Sequence, residues 1–163
     1  MIDSTDNPEE AALLLRLGMM VRDAAALEVL VESVTDHLLA IHDRTASFAR
    51  GQPLSVIVRK CREVAPLAQG VNDAQVASLG LLLDRVTAVA KLRNAYVHGA
   101  WARDDDGSYL AVRGKRGHSD LVSHAVSEAE LLSMINEIRS INNGLLEWLD
   151  RDWSARYGAA ATD

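Results

Sequence analysis

The stretch LLLRLGMMVRDAAALEVLVESVTDHLLAI, residues 13–41, decides the fold class. Its apolar side chains recur at Leu17, Met20, Ala24, Leu27, Val31, Val34, Leu38 and Ile41, steps of three and four that draw one stripe along a helix. A second set, Leu14, Val21, Ala25 and Leu30, falls off that stripe, so this helix carries apolar surface on more than one side. Working outward, DRTASFARGQP at 43–53 reads as a polar connection. Ile57, Cys61, Val64 and Leu67 or Ala68 then mark a second helix of about three turns, limited by Pro66 and Gly70. Asn72 or Asp73 can cap a third helix, whose stripe is Val76, Leu79, Leu83, Val86, Ala90, Arg93 and Val97 and which Gly99 stops.

Residues 99–114, GAWARDDDGSYLAVRG, alternate as two short strands about Asp106-Gly107, a dipeptide suited to a tight hairpin turn. Ser127 and Glu130 form a capping box ahead of Leu131, Met134, Ile138, Ile141, Leu145 and Trp148, which predicts a last long helix from about 128 to the mid 150s. Three prolines, ten glycines and 4% aromatic residues suit helices better than a sandwich or barrel. The expectation is an all-α fold: a four- to five-helix bundle with a hairpin inserted before the last helix, in one domain over 1–163 with 1–8 and 158–163 frayed.

At 163 residues and 48% apolar content, such a chain can bury roughly 70% of its unfolded surface. The acidic opening MIDSTDNPEE is not a secretory signal and no apolar run is long enough to span a bilayer, so a cytoplasmic protein without membrane contact is expected. One cysteine, Cys61, excludes an intrachain disulfide and a thiolate zinc cluster. His37 with His42, and His118 with His124 and Asp120, lack the further ligands a metal needs. Asp104, Asp105 and Asp106 lack the spacing of a calcium loop, so no cofactor is expected.

The net charge of −6 disfavours general attraction to nucleic acid, but the charge is uneven. Residues 91–118 hold Lys91, Arg93, Arg103, Arg113, Lys115 and Arg116 against Asp104, Asp105 and Asp106, a local +3 that leaves −9 elsewhere. Arg93 sits on an apolar stripe, where a guanidinium must find acceptors or water. In KLRNAYVHGAW, residues 91–101, Asn94 and His98 are four apart and share a helix face, whereas Arg93 and His98 diverge by roughly 140°. Arg93 can lean round to the ring, meet it across a common ligand or rely on a distorted last turn; alternatively a second copy of the chain supplies the other half about a twofold axis.

An imidazole that exchanges protons near neutrality and a guanidinium that forks onto phosphate together suit phosphodiester chemistry. With RNA, His98 as base or acid and Arg93 steadying the phosphorane would allow the 2′-hydroxyl to attack, leaving a 2′,3′-cyclic phosphate without a metal. Asn94 would orient the ring or hold the ribose. Arg103, Arg113, Lys115 and Arg116 could bind flanking phosphates, and equally could be a solvated hairpin surface. Trp101 or Tyr109 could stack a base or cover the helix ends. Arg93 and His98 also suit two plainer roles, cations capping a helix C-terminus and a ligand-binding pair without turnover.

Arg93-Asn94, three further residues and then His98-Gly99 at the end of a helix resembles the Arg, four to six residues, His motif of HEPN domains. The resemblance implies an all-helical homodimer acting as a metal-independent endoribonuclease of toxin-antitoxin or antiviral systems. It further implies catalytic Arg93, Asn94 and His98, substrate contacts from the nearby cations and Tyr96, and an antitoxin or sensor protein as partner. In the branch controlled by nucleotidyltransferase antitoxins a Tyr stands two residues beyond the His; here that place is Ala100, so AMP transfer onto it is excluded.

Overall fold

The computed structural model describes residues 8–41, 47–105, 108–114 and 121–157. Helix α1 spans Pro8–Leu38, α2 spans Leu54–Val64 and runs into a 3-10 turn at Ala65–Leu67, α3 spans Asp73–His98 and α4 spans Glu128–Tyr157. Between α3 and α4 lie strands β1 (Ala100–Arg103), β2 (Tyr109–Gly114) and β3 (Leu121–Val126), a three-stranded antiparallel sheet in the order β1-β2-β3. The chain is mostly helical, with a small sheet in place of a bare hairpin. It divides into two compact units, Met1–Ala24 with Ala88–Ile138, and Ala25–Thr87 with Arg139–Asp163.

The first unit holds the sheet. Arg103 pairs with Tyr109 and Ala100 with Val112; on the other side Tyr109 pairs with Val126, Ala111 with His124 and Arg113 with Val122. Because side chains alternate along a strand, Trp101, Arg103, Tyr109, Ala111, Arg113, His124 and Val126 share one face. Ala111, Val126 and Tyr109 are buried there, so this is the face turned to the core. Helix α4 starts where the capping box predicts: the Glu130 carboxylate accepts from the Ser127 N–H at 3.0 Å and the Ser127 hydroxyl from the Glu130 N–H at 3.2 Å. An Arg16–Glu128 ion pair at 2.9 Å joins α1 to this helix start.

In the second unit, α3 is tied to α2 by Arg62 on Asp84 at 2.6 Å, and to α4 by the Trp148 indole donating to the Gln75 carbonyl at 3.0 Å. Asn72 and Gln75 cap α3 reciprocally, at 2.9 and 3.0 Å. Every α4 residue expected on the apolar stripe, from Leu131 to Trp148, is buried. The stripe of α1 is buried from Met20 to Leu38, whereas Leu14 (54% exposed) and Val21 (38%) from its second set face water. Two expectations are corrected. Leu67 is exposed because the 3-10 turn around Pro66 puts Ala65 inside instead, and residues 121–126, outside the two strands expected, form β3. The Asp106-Gly107 turn, His42 and His118 lie outside the described residues.

Cys61 is fully buried, and burial pushes its thiol from the usual 9 up to about 11, partly offset by the Thr35 hydroxyl and Arg62. Between pH 9 and 11 the unfolded chain therefore releases the thiol proton while the folded chain retains it. Urea titrations should show stability falling through that window more steeply in the wild type than in Cys61→Ala; equal slopes would contradict the assigned burial effect.

Candidate functional site

The motif residues lie at the end of α3, in the first unit. Toward that end the buried face of the helix runs through Val89, Ala95 and Tyr96, which leaves Arg93 beside it and only half-buried. The expected stripe placed Arg93 and Val97 inward; docking of Tyr96 against the sheet takes that face instead, and Val97 is 36% exposed. One guanidinium N–H of Arg93 donates to the Asn94 amide oxygen at 2.9 Å. This fixes Asn94 with its oxygen toward Arg93 and directs its NH2 group elsewhere. His98, the last residue of α3, is exposed, and its ring makes no hydrogen bond or ion pair with another described residue. The structure thus joins Arg93 to Asn94 and leaves His98 open to solvent.

Gly99 determines how the chain leaves the helix. Its N–H donates to the Ala95 carbonyl at 2.8 Å, the final helical bond, and the next residue is already paired with Val112 in the sheet. A Cβ on Gly99 would collide with the Ala95 carbonyl oxygen and lie 3.2 Å from that of Val112. Only glycine fits between the two backbones. The junction is braced by Trp101, whose indole N–H donates to the Tyr96 carbonyl at 2.8 Å, and by the Tyr96 hydroxyl, which donates to the Ala125 carbonyl at 3.2 Å. Tyr96 is 3% exposed, and burial, with Glu130 adding to it, holds its phenol above the ordinary range. The expected substrate contact by Tyr96 is corrected on this ground: its ring is core and its hydroxyl anchors β3.

The cations beyond the helix are not alike. Arg103 donates to the Tyr109 hydroxyl at 2.5 Å, and its guanidinium stands 4.7 Å from the centre of the same ring. That hydrogen bond raises the already high pKa of the guanidinium, and the Tyr109 hydroxyl in turn donates to the Glu10 carboxylate at 3.4 Å. Arg103 is therefore held in place, though exposed. Arg113 is exposed on the same sheet face, and Lys115 and Arg116 lie outside the described residues. Trp101 and Tyr109 stand 6.3 Å apart in a tilted pair, the Tyr109 ring buried, so covering the core is the role they occupy.

Sequence reasoning missed Glu10 and weighed His124 only as a metal ligand. His124 is half-buried and pairs with Ala111 in the β2–β3 ladder, which brings a second imidazole onto the face that carries Arg103 and Arg113. Alternation of Val122, His124 and Val126 was the available signal for it. Nothing local marks Glu10, which meets Tyr109 from 99 residues away.

No family model, curated protein or solved structure matches this chain.

Gly99→Ala should destabilise the protein by about 2 kcal/mol, since backbone on both sides must give way. Chemical denaturation measures this. A loss as small as that of an exposed helix-end substitution would show that the junction relaxes freely.

Proposed function

We propose that this chain is a HEPN-like homodimer that cuts single-stranded RNA without a metal ion, in a toxin or antiviral-defence setting. The observation that carries the reading is the Arg93–Asn94 hydrogen bond about one turn before an exposed His98 that has no partner among the described residues. A solvent-facing imidazole on a rigid helix end is available to take or give a proton, and an oriented guanidinium beside it suits a phosphate. In the proposed reaction His98 accepts the 2′-O–H proton as that oxygen attacks phosphorus. The bond from phosphorus to the 5′-oxygen breaks, and that oxygen is protonated as it leaves. The products are a 2′,3′-cyclic phosphate and a 5′-hydroxyl. Arg93 steadies the charge on the phosphorane, and Asn94 holds Arg93 and offers its NH2 group to the ribose or phosphate.

Two imidazoles, one per copy, would serve as base and acid in a shared cleft, which is the argument for a homodimer. Leu14, Leu15 and Val21 of α1 supply exposed apolar surface for such an association. Arg103, Arg113, Lys115 and Arg116 would grip phosphates beside the cut. An antitoxin or sensor protein is the partner this reading implies, and the cytoplasm its place of action. Among the described residues no helix is long and apolar enough to cross a membrane.

One observation favours a second reading. Arg93 is engaged by Asn94, and no hydrogen bond links it to His98, an arrangement that also suits a non-catalytic dimer gripping a nucleotide, RNA or protein partner. One experiment separates the two. Purified protein should cleave single-stranded RNA in excess EDTA, with His98→Ala and Arg93→Ala each losing at least roughly a hundredfold in rate while melting almost as the wild type does. Undiminished cutting by both variants would overturn the catalytic assignment. An inactive wild type that binds RNA, with binding lost in Arg93→Ala, would favour the second reading.

A further inference from the structure

In the second unit a groove of about 310 Å³ runs between α3 and α4. Its apolar floor is Leu82 and Trp148, with Leu81 at the lip and 68% exposed. Two guanidinium groups line it, Arg85 and Arg151, against one carboxylate, Glu147.

Three features make this a shaped site. Gly144, inside α4, lacks the side chain whose first carbon would come within 2.7 Å of a Leu82 methyl, so Leu82 lies close against the helix. A helix-interior glycine costs about 0.5–1 kcal/mol relative to alanine, and no turn or positive φ calls for one here. The Trp148 indole N–H is occupied by the Gln75 carbonyl, which fixes the ring as part of the floor. Arg85 is oriented by its hydrogen bond to the Ser140 hydroxyl at 2.9 Å.

We propose that this groove binds a small apolar molecule carrying a single acidic group. The volume lies at the lower end of ligand pockets, too small for a docked helix, and the floor takes a ring or short chain. Arg151 selects an anion: it pairs with Glu147 only at 3.3 Å, both side chains being mostly exposed. Such a surface pair is weak enough for a ligand's acid group to replace Glu147. A guanidinium donates two parallel hydrogen bonds to a carboxylate or sulfonate, which fixes the ligand's polar end while Leu81 and Leu82 cover the rest.

The probe is 8-anilinonaphthalene-1-sulfonate, followed by its fluorescence and by the NMR shift of the Trp148 indole N–H in the full chain. Saturable binding at one dye per chain that moves the Trp148 signal is expected. Leu81→Glu and Arg151→Gln alter exposed side chains, so both should fold and melt normally yet bind roughly tenfold more weakly. Naphthalene-2-sulfonate should displace the dye and naphthalene-2-methanol should not. Binding unchanged in both variants, equal displacement by the neutral alcohol, or an unmoved Trp148 signal would each overturn the proposal. RNA cleavage is expected to be the same in these variants as in the wild type, so the outcome does not depend on the assignment of Arg93 and His98.

Discussion

The passage of two backbones at Gly99 is the constraint on which the first unit depends. A helix C-terminus leaves carbonyl groups without intrahelical donors, and these must be satisfied or exposed. Here the Ala95 carbonyl takes the Gly99 N–H and the Tyr96 carbonyl takes the Trp101 indole N–H, so the helix end is completed by the residues that begin the sheet. No connecting loop intervenes, and a residue with a side chain at the junction would part α3 from β1. The short passage holds His98 at the rim, Tyr96 inside and Trp101 against the helix, each position following from the same turn of chain.

The helices were legible in the sequence because their cores repeat at helical spacing and their starts carry reciprocal caps. Leu131 through Trp148 in α4, Asn72 with Gln75 and Ser127 with Glu130 all sit as spacing dictates. What escaped depends on contacts between distant segments. The alternation of strand β3 is blurred by His124 on the core face and Ala125 on the face away from it. Arg103 reads as a free cation until the register places it opposite Tyr109 and α1 brings Glu10 to the same hydroxyl. Arg93 reads as a stripe residue because the periodicity of the upper helix continues through it, while the buried face of the last turns is set by what Tyr96 packs against.

The charge distribution gains meaning from this division among the arginines. Formal counting credits residues 91–118 with a surplus of three positive charges, as though every cation were equally available to phosphate. In the fold, Arg103 lies over a tyrosine ring within reach of a glutamate and Arg93 is bonded to an asparagine, whereas Arg113 is exposed at the margin of the sheet. A guanidinium held by its neighbours loses conformational freedom in advance, so it meets an anion at lower entropic cost than a mobile lysine. The arrangement therefore favours positioned contacts over diffuse attraction, consistent with an acidic chain that meets any polyanion locally.

One copy would be insufficient for the proposed chemistry. Arg93 and His98 leave the helix in directions roughly 140° apart, and the Arg93–Asn94 bond draws the guanidinium toward its neighbour rather than toward the ring. Phosphodiester cleavage asks for a base on one side of phosphorus, an acid on the opposite side and positive charge between them. A single exposed imidazole can serve as base or as acid at a given moment. In the proposed homodimer, twofold symmetry would supply the missing imidazole and double the guanidinium groups without further residues. In that proposal the tight α3-to-β1 junction would hold each half of the site in place and the other copy would complete it.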